Sequence, residues 1–251
     1  MRVDTGLRMA VRNGFVVPAL RRQGVRKPTG QQGRPSKSLT LTQAQALLDS
    51  AKTSLFYAYI VLSLLTGART EELRALTWAR VDLDGEPDAD PPVPPHIEVW
   101  RSVRAGGDTK TKKSRRTLAL PKRCVDALHR HRRLQDRKRE QAGRLWQNTD
   151  LVFCTGHGEP LLAGNVRRTF RRLCRKAGIG DDWTPRELRH SFVSLLSDSG
   201  VPLEAIADLC GHSGTTVTEK VYRHQLRPVL LGGAIAMDKI FETPTGGGRV
   251  A

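Results

Sequence analysis

Residues 55–78 read LFYAYIVLSLLTGARTEELRALTW. Leu55 to Thr66 is apolar around nearly its whole circumference, which predicts a helix wrapped by core rather than one lying on a surface. Gly67 supplies a left-handed stop, and a second, short helix is expected over Thr70–Trp78, carrying Glu71, Glu72, Leu73 and Leu76. Arg69 is the informative residue. It emerges from the core at a helix end, where a guanidinium is costly unless it serves an anion or an internal carboxylate such as Glu72.

Working outward, Thr40 and Thr42 each have a Gln three residues later, so a capped helix is expected to run through Ala51. Residues 84–95, with five prolines and several acids, read as a surface loop. Ile97, Val99 and Val103 then alternate before Gly106-Gly107, and Thr117, Leu118 and Leu120 form a return strand, so a hairpin is expected. Its tip and return strand carry Lys110, Lys112, Lys113, Arg115 and Arg116. A basic helix follows from Lys122 to Ala142, and a short buried strand or turn over Leu151–Phe153. Further helices are expected over Asn165–Ala177, from Thr184-Pro185 through Ser197, from Pro202 to Gly211, and briefly around Tyr222, capped by Thr216 with Glu219. The fold class is therefore mainly α with one small antiparallel β-sheet (α+β).

The chain has 251 residues, with 42 Lys+Arg against 25 Asp+Glu, a net charge of +17. Arg outnumbers Lys 31 to 11, which suits bidentate phosphate contacts. Residues 1–40 hold nine basic and one acidic residue, 101–140 fifteen and four, and 161–190 eight and three, whereas 41–100 holds four and nine. A surplus so large and so blocked points to a polyanionic partner. No apolar run reaches the ~18 residues of a membrane span. Cys124, Cys154, Cys174 and Cys210 are far apart, with no CxxC pair, and read as free thiols of a reducing cytoplasm rather than as metal ligands. Residues 21–38 (RRQGVRKPTGQQGRPSKS) form a basic linker, the main domain is expected over 39–241 with a disordered tail over 242–251, and Leu7–Leu20 reads as one isolated helix.

Two further segments carry chemistry. On the helix from Pro185, Leu188, Phe192, Leu195 and Leu196 make a core-facing stripe. Arg186 and Arg189 lie about 60° apart and clear of that stripe, and guanidiniums so close repel each other unless an anion sits between them. Tyr222 stands between Lys220-Val221 and Arg223-His224, where cations favour the phenolate. Tyr57 and Tyr59, the other two tyrosines, belong to the apolar helix.

The segments TGARTEELRALTW (66–78), TKTKKSRRTLALP (109–121), TPRELRHSF (184–192) and CGHSGTTVTEKVYRHQLRP (210–228) resemble, in order and spacing, the motif boxes of the tyrosine recombinases, or phage-type integrases. The likeness is nearest to integrases of phages and integrative plasmids of GC-rich bacteria. It implies the catalytic-domain architecture of that family and a site-specific DNA recombinase that cleaves and rejoins strands through a 3′-phosphotyrosine. Tyr222 would be the nucleophile, Arg69 and Arg189 the clamp on the scissile phosphate, and His212 a further phosphate donor. Lys110 would be the general acid, with Lys112 and Lys113 as rivals, and Glu72 the buttress of the site. Arg186 stands where the family usually has His, so a third electrostatic donor is expected there and not a base, since Arg is a poor proton acceptor.

Lys112, Lys113, Arg115, Arg116, Arg167, Arg168 and His224 are expected to grip the DNA backbone. The implied partners are double-stranded DNA at attachment sites and further copies of the chain, as a tetramer, with neither cofactor nor metal and no membrane. The implied location is the bacterial cytoplasm, nucleoid-associated when on DNA. Residues 1–20 would be a remnant of the family's N-terminal core-binding domain. A DNA-binding module without turnover, or a type IB topoisomerase-like relaxation activity, are the alternatives. The apolar stretch Val229–Phe241 has two readings, docking onto a neighbouring subunit or packing on its own domain.

Overall fold

The computed structural model describes residues 9–12, 15–18, 37–100, 102–103, 115–211 and 231–241. The chain divides into two units, Met1–Pro35 and Ser36–Ala251. The first holds an antiparallel hairpin, β1 (Met9–Arg12) and β2 (Phe15–Pro18), with Arg12 opposite Phe15 and Met9 opposite Pro18. This corrects the helix expected over Leu7–Leu20. Val11, Phe15, Val16 and Val17 favour extended backbone, and Asn13-Gly14 is the dipeptide preferred in a two-residue hairpin connection.

In the second unit the apolar stretch is the hub. Helix α2 (Tyr57–Thr66) buries every residue from Ala58 to Thr66. It packs against α1 (Leu41–Ala51), α4 (Lys122–Ala142), α6 (Arg186–Asp198) and α8 (Leu231–Ile240). Burying Ile60, Val61, Leu62, Leu64 and Leu65 is worth on the order of 10 kcal/mol before chain entropy is counted. Helix α1 starts on the expected capping box: the Thr40 hydroxyl accepts from the Gln43 amide at 3.2 Å, and the Gln43 side chain accepts from the Thr40 amide at 3.1 Å. Helix α6 buries the predicted stripe of Leu188, Phe192, Leu195 and Leu196. At its start Glu187 reaches back to the Thr184 amide at 2.6 Å.

The expected hairpin becomes a three-stranded antiparallel sheet, β3 (Val81–Asp82), β4 (His96–Val99) and β5 (Arg116–Ala119), in the order β3-β4-β5. Ile97 faces Leu118 and Val99 faces Arg116. Val103 lies beyond the strand and is exposed. The helix expected over Thr70–Trp78 is shorter: α3 spans Thr70–Leu73, and Trp78–Arg80 forms a separate 3-10 turn. The Trp78 indole donates to Gln135 on α4 at 2.6 Å, and the Trp78 amide to the Asp150 carbonyl at 2.9 Å, which detaches this turn from α3. Helices α5 (Ala163–Lys176) and α7 (Leu203–Cys210) complete the unit, α7 ending on Gly211 at φ 59. The described part of the C-terminal apolar stretch, α8, packs on its own domain, with Met237 fully buried and Ala234 nearly so. No described helix is long and apolar enough to cross a membrane.

Helix α2 ends where Gly67 adopts φ 63. A Cβ at Gly67 would lie 2.5 Å from Cδ1 of Phe192 on α6. We expect Gly67→Ala to cost about 2–4 kcal/mol, combining left-handed strain with overpacking against the ring. Gly164→Ala on α5, where a Cβ meets nothing within 4 Å, should be neutral or slightly stabilising. Urea midpoints for the two variants check this, and equal midpoints would refute the close-approach account.

Candidate active site

The site grows from three helix ends. Gly67 turns the chain out of α2, so that Ala68 stays buried and Arg69 arrives at the start of α3. One turn on, Glu72 is buried and its carboxylate reaches back. Oε2 accepts from the Arg69 amide at 2.7 Å, and Oε1 accepts from Arg69 Nη1 at 2.7 Å. Arg116, at the first position of β5, meets the same carboxylate: Nη1 donates to Oε1 at 3.1 Å and Nη2 to Oε2 at 2.9 Å. Arg189, one turn into α6, donates through Nη1 to the Gly67 carbonyl at 2.7 Å.

The end of α7 supplies the remaining acceptors. Leu209 O accepts from Arg116 Nε at 2.8 Å, Cys210 O from Arg189 Nη2, and Gly211 O from Arg69 Nη2 at 3.4 Å. Carbonyls at a helix C-terminus lack intrahelical donors and carry the negative end of the macrodipole, so they suit guanidiniums. Three positive charges are thus gathered around one carboxylate. The electrostatics register the imbalance. Burial would raise the Glu72 carboxyl, but Arg116 and then Arg69 outweigh it and hold the group below the usual carboxylate range. Burial, with Arg69 and Arg116 adding to it, lowers Arg189 to about 10 against the opposing pull of Cys210 and Glu72. Arg189 therefore remains charged at neutral pH.

A cleft of about 480 Å³ opens on this cluster, lined among others by Arg69, Thr70, Arg186, Arg189 and His190, with Glu71 the one acidic residue among its described lining. Arg186 is exposed at its rim, one helical turn from His190. Burial first, and the Arg186 charge next, lower the His190 imidazole despite Glu187, so the ring is neutral at pH 7. A hollow with two fixed guanidiniums, a third at the rim and a neutral imidazole is suited to a tetrahedral oxyanion.

Of the expected site residues, the fold brings Arg69, Arg189, Glu72 and Arg186 together. Tyr222, His212, Lys110, Lys112, Lys113 and His224 lie outside the described residues. Arg167 and Arg168 are exposed on α5, as a backbone-gripping role requires, and Arg115 is half-buried. Arg116 is displaced from its expected place: it is 5% exposed and held by Glu72, not set on a DNA-facing surface. The sign was in the strand period. Leu118 and Leu120 point into the core, and Arg116 is two residues before Leu118 on the same face. His190, in the TPRELRHSF segment, is a further residue of the cleft wall. Its spacing of four from Arg186 is the signal in the sequence that points to it. Tyr59 is fully buried against Phe56, its hydroxyl directed at the Thr70 carbonyl. Burial raises its phenol pKa, and enclosure in the core keeps it from any substrate.

The model of the family described as "Phage integrase family" matches residues 37–227. The chain belongs to that family. An integrase of Streptomyces ambofaciens is 63% identical over 217 residues, covering 86% of this chain and 56% of the relative. A XerC-like tyrosine recombinase of Caldanaerobacter subterraneus subsp. tengcongensis is 26% identical over 200 residues, covering 72% of this chain and 49% of that protein. This integrase-family chain thus spans about half the length of these relatives. The crystal structure of XerA recombinase superposes with a TM-score of 0.58 at 24% identity, over 80% of this chain and 63% of that one. The Tn1549 transposon integrase in complex with transposon right end DNA also gives 0.58, at 22% identity, over 78% and 64%. Both agree with a mainly helical catalytic-domain fold bearing a small antiparallel sheet.

The Glu72 ion pair sets a pH dependence. A carboxyl lowered by folding contributes stability above its ordinary value near 4.5, and that contribution is lost as pH falls through the folded value. We expect Glu72→Gln to lose about 3 kcal/mol at neutral pH, because Arg116 is left buried without its counter-ion. The variant's stability should then vary less between pH 7 and pH 3 than that of the unaltered chain. Denaturant midpoints across this range check it, and parallel curves would refute it.

Proposed function

We propose that this chain is a site-specific DNA recombinase that breaks and rejoins strands through a 3′-phosphotyrosine, acting in the integration and excision of a mobile element. The observation that carries the reading is the cleft lined by both Arg69 and Arg189, each oriented by a backbone carbonyl, that of Gly211 and that of Gly67. Membership of the phage integrase family supports it, as does the name of the Streptomyces relative. The partner is double-stranded DNA, and copies of the chain assemble on it.

In the proposed reaction the Tyr222 oxygen attacks phosphorus, forming the phosphotyrosine bond while the bond to the 5′-oxygen breaks. Arg69, Arg189 and His212 stabilise charge on the non-bridging oxygens, and Arg186 adds a donor from the rim. Lys110, or its neighbours Lys112 and Lys113, gives a proton to the departing 5′-oxygen, and the phenol gives its own to solvent water. Ionising a tyrosine of ordinary pKa near 10 at pH 7 costs about 4 kcal/mol, which the surrounding cations offset. Because the ester bond is exchanged and not hydrolysed, rejoining requires no nucleotide. The exposed arginines of α4 and α5 supply a salt-sensitive backbone grip.

Incubation with nicked suicide duplexes drawn from a randomised pool should yield a covalent protein–DNA adduct on denaturing gels, absent for Tyr222→Phe. DNA binding without any adduct would leave a binding module and overturn the enzymatic reading. Relaxed plasmid without recombinant products would favour a topoisomerase-like activity instead.

Arg189→Lys sharpens the test. Burial that brings a guanidinium to about 10 would bring an ammonium, ordinarily near 10.4, toward neutrality. Such a group loses its charge as pH rises. Adduct formation by Arg189→Lys should fall about 100-fold or more at pH 8 and recover in part toward pH 6, while the unaltered chain keeps Arg189 charged throughout. A pH profile of the variant parallel to that of the parent would refute this.

A further inference from the structure

We propose that Arg116 is a positioning residue of the phosphate clamp, taking up the charge of Glu72 away from the cleft so that Arg69 is oriented by that carboxylate without being neutralised by it. The inference rests on the function proposed above. Each Glu72 oxygen accepts one donor from Arg69 and one from Arg116. Arg69 contributes its backbone amide and a single guanidinium nitrogen, whereas Arg116 binds with both terminal nitrogens in the parallel, two-point geometry that marks a strong carboxylate pair. Arg116 is 5% exposed and does not line the cleft, while the Arg69 side chain is 31% exposed and does. The carboxylate is therefore matched chiefly by a cation that no ligand in the cleft can reach. The charge left over falls to Arg69, on the wall of the cleft.

Two consequences of the geometry strengthen this. Without Arg116, the whole attraction of a buried carboxylate would fall on Arg69, closing it down as a two-point pair and lowering its affinity for an anion. In addition, Arg116 Nε holds the Leu209 carbonyl at 2.8 Å, next to the carbonyls that orient Arg189 and Arg69. One side chain on β5 thereby fixes the carboxylate on α3 and the end of α7. Its aliphatic part lies close against Gly211, where an added Cβ would be 3.4 Å from Cδ. Lysine at this position keeps a charge but cannot span both oxygens and the carbonyl.

The test compares Arg116→Lys, Glu72→Gln and the double variant in the full chain, with thermal melting, DNA affinity and adduct rate measured on each. Arg116→Lys is expected to bind DNA within about threefold of the parent and to form adduct about 30-fold or more slowly, since the loss falls on clamp orientation and not on general grip. If Arg116 acts through Glu72, the double variant should be no more than about threefold slower than Glu72→Gln. A parental rate for Arg116→Lys, or losses that multiply, would overturn the proposal.

Should Arg116→Lys fail to fold, Arg116→Met with Glu72→Leu replaces the pair by apolar groups, often without loss of stability. Regained folding with a slow adduct rate supports positioning, and regained folding with the parental rate overturns it. If the parent forms no adduct, the recombinase reading fails separately. Arg116 is then read from melting in inorganic phosphate against chloride at equal ionic strength. A phosphate-induced rise at least halved in Arg116→Lys supports the proposal, and an undiminished rise overturns it.

Discussion

A single carboxylate holds the arginine cluster of the candidate site together. Glu72 accepts four hydrogen bonds at 2.7–3.1 Å, two from Arg69 and two from Arg116. A buried carboxylate is tolerable only with such saturation, and the two guanidiniums are tolerable only because it is there. The pairing fixes α3 against β5. The carbonyls at the end of α7 then attach that corner to α6 through Arg189. Remove the carboxylate, and four elements lose their common point.

The second constraint is the use of helix termini as acceptors. Arg189 is held by the Gly67 and Cys210 carbonyls. A carbonyl orients a guanidinium without carrying a full opposing charge. Burial, with Arg69 and Arg116 close by, lowers Arg189 against the pull of Cys210 and Glu72. The apolar hub α2 makes it possible, since its C-terminal carbonyl is delivered to the cluster by a segment buried on all sides.

How much of this was legible in the sequence follows the physics of each signal. The 21 residues of α4 and the Gly67 stop of α2 coincide with expectation, because apolar periodicity and helix punctuation are local. So is the burial of Leu188, Phe192, Leu195 and Leu196. The convergence of Arg69, Glu72, Arg186 and Arg189 was reached through motif resemblance, which stores non-local geometry that periodicity lacks. What escaped was decided by tertiary partners: α3 stops early because Trp78 is drawn to Gln135 and Asp150, and Val81–Asp82 becomes a strand only because β4 is there to pair with it. Arg116 looked like one more surface cation in a basic run. Its burial depends on a carboxylate 44 residues away in the chain, which no window of sequence contains.

Gly67 has a wider meaning than ending a helix. Phe192 presses on its Cα so closely that the backbone of α2's end and the face of α6 meet with only hydrogen between them. Arg69 lies two residues after that contact and Arg189 three residues before it. The contact brings the segment before Arg69 against the helix that carries Arg189, whose guanidinium also donates to the Gly67 carbonyl at 2.7 Å. The closeness of the two backbones is specified by a missing methyl group, so a bulkier residue at Gly67 would spread α2 and α6 and displace the cluster without removing any charged group.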